Sequence, residues 1–234
     1  MLLEVNGIDV FYGKFQALRG VSMKIDKGQV VSLIGPNGAG KTTTLRAITG
    51  QMKPAKGSVT LNGDRIDQLP AHEVAKKGIG MVPEGRQLFD GMTVYENLLM
   101  GAYTKPRNML NDSLQFCFKV FPRLEERRKQ LAGTLSGGEQ QMLAIARTLM
   151  LKPTLLLIDE LSLGLMPKLA YELFKVLETI RDQGITILVV EQHIRSALEL
   201  SDRAYLMEEG RIVQEASAKE MLESEHIKSV YLGI

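Results

Sequence analysis

The sequence has little of what marks a secreted, membrane-spanning or nucleic-acid-binding protein. Its 234 residues include a single cysteine, Cys117, so no internal disulfide can form and a reducing compartment is expected. Glu4 and Asp9 interrupt the N-terminal stretch that would be apolar in a secretory signal, and no apolar run approaches the roughly eighteen residues that cross a bilayer. With 29 basic and 27 acidic residues, the net charge of +2 is too small to indicate nucleic-acid binding. We therefore expect a cytoplasmic protein whose partners are small molecules or other proteins.

What the chain does contain is a series of short apolar runs separated by amphipathic segments. Strands are predicted at 2–11, 21–25, 30–34, 58–61, 79–82, 154–158, 186–190 and 205–207. The region between the fifth and sixth of these lacks strand signals and predicts helices at 94–102, 112–128 and about 138–150. Because helices and strands alternate elsewhere, we expect a largely parallel α/β core, formed by 1–92 and 153–234, with 93–152 inserted as a helical subdomain.

A glycine-rich loop follows the predicted strand at 30–34. It consists of Gly35, Pro36, Asn37, Gly38, Ala39, Gly40, Lys41 and Thr42, and it matches the phosphate-loop pattern G-x-x-x-x-G-K-[ST]. The glycines allow successive backbone N–H groups to face a polyphosphate, and the following helix adds the positive end of its dipole. We expect Lys41 to reach the β- and γ-phosphates and Thr42 to bind Mg²⁺, with Thr43 in the same nucleotide-binding segment. The alternative is a glycine-rich turn that matches by chance, and the strand before and helix after disfavour it.

A second apolar strand ends in two carboxylates, Asp159 and Glu160. In a parallel sheet, ligands bind beyond the carboxyl ends of the strands, so both acids are expected beside the phosphates. Asp159 would support Mg²⁺, and Glu160 would act as the general base that polarises the attacking water. The alternative is a strand that simply ends in solvated acids.

A third element, Ser136-Gly137-Gly138, lies between the other two and opens a predicted helix. A hydroxyl and exposed amides at a helix N-terminus suit a γ-phosphate, although serine is also an ordinary N-cap residue. Together with the phosphate loop and the acidic strand end, the segment Leu135-Ser136-Gly137-Gly138-Glu139 resembles the signature of the ATP-binding cassette (ABC) family. The resemblance covers nearly the whole chain.

Membership of that family would imply a P-loop ATPase core with an N-terminal antiparallel β subdomain and the inserted helical subdomain. It would also imply that the signature of one protomer closes over the ATP held by another. Tyr12 matches the aromatic residue that stacks on adenine, the alternative being a half-buried strand tyrosine.

Several positions depart from the usual family pattern. Glu84 stands where most cassettes have a glutamine that senses Mg²⁺. We expect Glu84 to contact the metal, although it departs from the family residue at this position. Gln192 and His193 both lie near the place of the switch histidine that touches the γ-phosphate, and spacing favours Gln192. Leu161 replaces a proline, which restores an N–H and frees φ at the turn after Glu160 and predicts slower or looser hydrolysis.

Several further segments resemble one ATPase of the bacterial branched-chain amino acid importers. They are Pro83-Glu84-Gly85-Arg86, Phe121-Pro122-Arg123-Leu124, the signature helix, Ser162-Leu163-Gly164-Leu165 and Tyr231-Leu232-Gly233. Such an importer would pair this chain with a second ATPase subunit, identical or different, beneath transmembrane permeases at the inner face of the membrane. An external binding protein would deliver the amino acid. The alternatives are a cassette for urea or lipopolysaccharide transport, a soluble cassette outside transport, and a monomeric P-loop kinase.

Overall fold

The computed structural model describes residues 1–103, 106, 108 and 110–229, so the resemblance at 231–233 lies outside the described residues. Its strands form two sheets, one with four strands in the order β2-β1-β4-β5 and one with six in the order β10-β9-β3-β8-β7-β6. The strands are β1 (Leu3–Tyr12), β2 (Phe15–Ile25), β3 (Val30–Ile34), β4 (Lys56–Leu61), β5 (Asp64–Arg65), β6 (Ile79–Val82), β7 (Leu155–Asp159), β8 (Thr186–Glu191), β9 (Arg203–Glu208) and β10 (Arg211–Ser217).

The six-stranded sheet is parallel from β6 to β9, as predicted, and only β10 pairs antiparallel at its edge. Every residue of β3, β7 and β8 is buried, which explains why these strands are continuous apolar runs in the sequence. In the register of the sheet, Ile34 pairs with Glu191 and Asp159 pairs with Val190. The ends of β3, β7 and β8 therefore meet at one edge, directly below the glycine-rich loop.

The four-stranded sheet is antiparallel, and its second strand is longer than the predicted run at 21–25. That strand begins at Phe15 and passes through Gly20, which adopts a left-handed φ of 65° at an irregularity of the register. The strand β10 is absent from the sequence predictions because its residues alternate between partly exposed and exposed, leaving no buried apolar stripe. The predicted fold class, a P-loop core with an antiparallel β subdomain and inserted helices, is confirmed.

The helices lie on both faces of the larger sheet and in the inserted region. They are α1 (Lys41–Ile48), α2 (Ala71–Lys76), α3 (Val94–Gly101), α4 (Leu110–Val120), α5 (Pro122–Glu126), α6 (Gly137–Leu149), α7 (Pro167–Arg181), α8 (Ile194–Leu200), α9 (Ala218–Glu223) and α10 (Glu225–Ile227), with a 3-10 turn at Ala132–Thr134. No described helix is long and apolar enough to cross a bilayer.

The prediction of one helix over 112–128 is wrong. The chain leaves the helical conformation at Phe121, with φ −129° and ψ 75°, and a new helix begins with Pro122 at its first position. Proline lacks the N–H that a continuing helix needs and disfavours the helical conformation of the residue before it. The division at residues 92/93 and 152/153 into core and helical subdomain stays a prediction.

Candidate functional site

The glycine-rich loop has a backbone that only glycine can adopt at two of its positions. Gly35 has φ 151°, and a Cβ there would lie 2.1 Å from the carbonyl oxygen of Met207. Gly40 has φ 109°, and a Cβ there would lie 2.7 Å from the side chain of Leu18. The loop is therefore pressed against the end of β9 and against β2, and it leads directly into α1 at Lys41.

Lys41 is buried and its ammonium group is held inside the loop. Its Nζ donates to the carbonyl oxygens of Gly35 at 2.9 Å and of Pro36 at 3.0 Å. Burial lowers the pKa of Lys41, while the negative charges of Glu160 and Asp159 oppose that shift. A buried cation that faces acidic residues and exchangeable carbonyl partners is suited to bind phosphate oxygens.

The first residue after the lysine connects the loop to the acidic strand end. The hydroxyl of Thr42 donates to Asp159 Oδ1 at 3.1 Å, and both residues line, with Glu84, a cavity of about 230 Å³. Burial is the main reason why the pKa of Asp159 rises to about 6, with Glu160 and Glu84 adding to the rise and Thr42 and Arg46 opposing it.

These oxygen donors fit a magnesium ion that is shared with a nucleotide. Mg²⁺ prefers hydroxyl and carboxylate oxygens and is commonly held by one or two carboxylates together with substrate phosphates. Within 1–103, 106, 108 and 110–229, no group of three or more His, Cys, Asp or Glu side chains could hold a metal alone. A metal bound at Thr42 and Asp159 would therefore depend on the phosphates for its remaining ligands.

Glu160 is held in an unusual conformation at the end of β7. Its φ is 54°, in the left-handed region that costs a non-glycine residue about 1–2 kcal/mol. Its N–H donates to the carbonyl oxygen of Val190 at 2.9 Å, and its carboxylate accepts a short hydrogen bond from Nε2 of Gln192. The structure thus joins Glu160 to Gln192, whereas the neighbouring His193 is exposed and forms the N-cap of α8 without a side-chain capping bond.

Leu161 is anchored by burial. Its side chain is completely buried in the apolar cluster that includes Leu173 and Leu177 of α7. This packing restrains the turn after Glu160. Slower hydrolysis stays a prediction.

Sequence reasoning missed two residues beside these carboxylates. Phe15 lines the cleft with its side chain 68% exposed, and Glu191 is buried at the end of β8, where Ser162 donates to it from its N–H and its hydroxyl. A pair of aromatics around a two-residue turn signals Phe15 in the sequence. Nothing in the sequence signals Glu191, because its partner lies 29 residues earlier.

Tyr12 is the last residue of β1 and its ring is 42% exposed toward the cleft. The guanidinium of Arg46 donates to its hydroxyl at 3.1 Å, and the hydroxyl of Thr43 lies 3.4 Å away. These contacts fix one edge of the ring and leave a face for a planar group. The position fits stacking on a nucleotide base.

One open cleft of about 470 Å³ brings most of the predicted residues together. It is lined by Tyr12, Phe15, Ala17, Asn37, Gly38, Gly40, Lys41, Thr42, Thr43, Glu84, Glu160, Leu163 and Gln192. Of the predicted site residues, Gly35, Pro36 and Ala39 of the loop, Ser136, Gly137, Gly138 and His193 line neither this cleft nor the adjoining cavity at Asp159. The signature segment is therefore separate from the nucleotide cleft within a single chain.

The signature segment caps α6. The hydroxyl of Ser136 accepts from the N–H of Glu139, and the N–H of Ser136 donates to the Glu139 carboxylate at 3.0 Å, which together form a capping box. The Ser136 hydroxyl also donates to this carboxylate at 2.7 Å. Arg127 holds the other oxygen of Glu139 at 2.7 Å. Burial alone would raise the pKa of Glu139, but the bonds from Ser136 and the charge of Arg127 lower it. The N-cap alternative is thus observed, and it leaves Ser136 and Gly137 at the surface for a second role.

Comparison with known proteins gives the same family along the whole chain. A family model described as ABC transporter matches residues 18–162, more than half of the sequence. The chain is 44% identical over 232 residues to the high-affinity branched-chain amino acid transport ATP-binding protein BraG of Pseudomonas aeruginosa, covering 99% of this chain and 100% of BraG. It is 39% identical to the probable branched-chain amino acid transport ATP-binding protein LivF of Archaeoglobus fulgidus, covering 100% of this chain and 99% of LivF. It is 34% identical to the lipopolysaccharide export ATP-binding protein LptB of Escherichia coli K12, covering 91% and 89%.

Solved structures share the fold. A nucleotide-free ATP-binding cassette from an ABC transporter has a TM-score of 0.88 and 30% identity, covering 100% of this chain and 99% of that one. A dimeric ATP-binding cassette bound to ADP and phosphate has a TM-score of 0.83 and 27% identity, covering 93% and 99%.

Proposed function

Because this chain belongs to the ABC transporter family, it is an ATP-hydrolysing subunit, and we propose that its transporter imports branched-chain amino acids. The full-length similarity to BraG, at 44% identity, carries the substrate class. The cleft that gathers the phosphate loop, Glu160 and Gln192 supports hydrolysis by this chain itself. In this function the chain does not contact the amino acid. It converts ATP binding and hydrolysis into motion of its permease partners.

In this proposal each residue of the cleft has one task. The loop amides and Lys41 hold and orient the phosphates, and Tyr12 stacks on adenine. Thr42 and Asp159, with Glu84 beside them, would hold Mg²⁺, which when bound neutralises charge on the phosphate oxygens. Glu160 orients the attacking water and accepts its proton, and Gln192 keeps the Glu160 carboxylate in place.

The position of the signature favours a working dimer. Ser136 and Gly137 are at the surface of α6 and line no nucleotide cavity of their own chain. A second ATPase subunit, arranged head to tail, would bring them over the γ-phosphate, so that each subunit completes the site of the other. The dimeric cassette bound to ADP and phosphate supports a dimer by similarity.

A groove at the side of the helical region is the proposed docking surface for a permease. Its volume is about 450 Å³, and Met81, Phe89, Met100 and Arg147 are among its lining residues. Phe89 and Met100 are 44% and 42% exposed, so the groove presents accessible apolar surface. The same docking would hold the protein peripherally at the inner face of the membrane.

The test is purification of the intact complex from membranes in mild detergent, with identification of the permeases and of the second ATPase subunit. We expect branched-chain amino acid permeases, and ATPase activity in proteoliposomes that rises when the binding protein loaded with leucine, isoleucine or valine is added. Permeases for lipopolysaccharide export would instead support a role like that of LptB. Recovery of the chain without any membrane protein would contradict both.

A substitution in the groove gives the matched control. Met100→Glu should abolish stimulation by the loaded binding protein while the basal ATPase of the complex, measured without binding protein, stays within about twofold, because the change is on the surface and outside the cleft. Met100→Leu should leave both unchanged. Charge reversal at Arg86 is a less sharp test, because its guanidinium donates to Gln140 of α6 at 2.8 Å.

A further inference from the structure

The ends of β7 and β8 are joined by a closed set of hydrogen bonds. Glu191 Oε1 accepts the N–H of Ser162 at 2.8 Å, and Oε2 accepts the Ser162 hydroxyl at 3.0 Å. The N–H of Gln192 donates to the same carboxylate at 3.2 Å, and the Gln192 side chain donates to Glu160. Glu160 lies two residues before Ser162 in the chain. These hydrogen bonds and the chain from Glu160 to Ser162 therefore form a ring, in which Glu191 links Ser162 to Gln192 and Gln192 links back to Glu160.

The burial of the Glu191 carboxylate is energetically unfavourable. The residue is 1% exposed, and burial raises its pKa, while its bonds to Ser162, His193 and Gln192 oppose that rise. An ion pair is not what compensates it, since its partners are the amides and one hydroxyl, with the Lys41 charge acting only at a distance. A buried carboxylate that accepts several bonds from one loop fixes that loop firmly, because any movement would leave the carboxylate without partners.

The backbone of Glu160 requires such support. A non-glycine residue at φ 54° is strained, and strain of this kind persists only where the surroundings determine the conformation. On the N-terminal side of Glu160, the hydrogen bond from its N–H to the carbonyl oxygen of Val190 holds the backbone in this conformation. On its C-terminal side the support comes from buried Leu161 and from the two bonds between Ser162 and Glu191.

We propose that Glu191 is a positioning residue for hydrolysis, which fixes the direction of the Glu160 carboxylate by holding Ser162 on one side and Gln192 on the other. This inference rests on the proposed role of Glu160 as the general base. It implies that Glu191 affects turnover rather than nucleotide binding. A displacement of about 1 Å at a reacting group costs about 100-fold in rate, which sets the scale of the expected effect.

The experiment compares purified full-length variants by steady-state ATPase kinetics and by hydrogen exchange of the backbone amides. Glu191→Ala should lower kcat about 10- to 100-fold with KM changed by less than about twofold. Exchange should accelerate at 161–165 and remain slow in β3, because the lost bonds are local. Glu191→Gln, which can still accept from the Ser162 N–H, should recover part of kcat. Ser162→Ala removes only the hydroxyl bond and should lower kcat by a smaller factor.

Asp67→Ala is the matched control, because Asp67 is also 1% exposed and also accepts a backbone N–H, that of Val59 at 3.0 Å. It should lower thermal stability without changing kcat. Glu160→Gln is measured beside these variants, and a fully active Glu160→Gln would remove the proposed base itself. If Glu160→Gln is inactive while Glu191→Ala keeps its kcat, or if exchange accelerates throughout the chain, the positioning role of Glu191 is wrong.

Discussion

Two buried aspartates, one beside each sheet, differ in the hydrogen-bond partners and charges that surround their carboxylates. Asp67 packs against the four-stranded sheet, where Arg65 donates to it at 2.9 Å and 3.1 Å and Gln68 at 2.8 Å. Asp159 ends β7 of the six-stranded sheet, where the hydroxyl of Thr42 is its bonded partner. Both are 1% exposed.

The difference is expressed in the pKa values of the two groups. Burial by itself raises the pKa of Asp67, but Arg65, the Val59 N–H and Gln68 outweigh it and lower the value to about 2. At Asp159 burial prevails and the pKa rises to about 6. The first carboxylate is satisfied by the fold, whereas the second is stabilised less than its burial costs. Groups whose pKa is raised by burial in this way cluster at functional sites.

The largest expected effect lies at the six-stranded sheet. Glu160→Gln should lower kcat by about 10² to 10⁴, because it removes a general base and keeps the shape of the side chain. ATP affinity should remain near that of the wild type, since the phosphate loop is unchanged. Single-turnover hydrolysis and equilibrium ATP binding measure the two quantities.

A matched change of charge on the other sheet is the control for Glu160→Gln. Glu4→Gln on β1 alters a carboxylate that pairs with Lys24 at the surface, and its kcat should equal that of the wild type. Equal losses of kcat in both variants would contradict the assignment of hydrolysis to the parallel sheet.

The two aspartates predict opposite effects on stability. Since the folded-state pKa of Asp159 lies above its ordinary value of 3.8, its ionisation destabilises the fold by about 3 kcal/mol once the pH exceeds about 6, and by nothing below about pH 4. Asp159→Asn should therefore be more stable than the wild type at pH 8, with a gain that disappears as the pH falls from about 6 to 4. Urea unfolding at several pH values, without nucleotide or magnesium, measures this.

Asp67→Asn should behave in the reverse way. Its carboxylate has a lowered pKa, so it contributes about 2 kcal/mol above its ordinary pKa of 3.8, and this contribution is lost only as the pH falls through about 2. The variant should be less stable than the wild type by a constant amount from pH 5 to 8. A pH-independent Asp159→Asn difference, or equal signs for the two variants, would refute the contrast.

The sequence predicted the six-stranded sheet better than the four-stranded one for a physical reason. Strands buried on both faces, such as β3 and β7, are visible as unbroken apolar runs, whereas β10 alternates between partly exposed and exposed residues and has no such mark. The break at Phe121 shows a different error, because the helical prediction for 112–128 ran across Pro122 and neglected what proline imposes on the backbone.

The same distinction holds within the site. Residues recognised by spacing along the chain, such as Lys41 and Glu160, were predictable and meet in the cleft. Glu191 was not predictable, because its bonds to Ser162 arise from the pairing of β7 with β8 and join residues 29 positions apart. Of the two candidates for the switch residue, spacing favoured Gln192, and the bond to Glu160 now favours it independently.

A smaller effect is expected where those two candidates are compared. Gln192→Ala should lower kcat about tenfold, because it removes one hydrogen bond to a charged group. His193→Ala should change kcat by less than about twofold, because that side chain is exposed and outside the cleft. Both variants should bind ATP normally. A greater loss of kcat in His193→Ala would reverse the assignment.

The smallest effect belongs to the part of the cleft that the four-stranded sheet supplies. Tyr12→Ala should weaken ATP binding about two- to tenfold, which is the contribution of one aromatic contact. It should leave kcat unchanged, because Tyr12 lies at the end of β1 and contacts Arg46 rather than the hydrolytic residues. Tyr12→Phe should bind ATP like the wild type, since stacking requires the ring and not its hydroxyl. Phe15→Ala is the matched comparison, and if it shows the larger loss of affinity, the base stacks on Phe15. A fall in kcat for either variant would mean that the antiparallel sheet takes part in turnover as well as in binding.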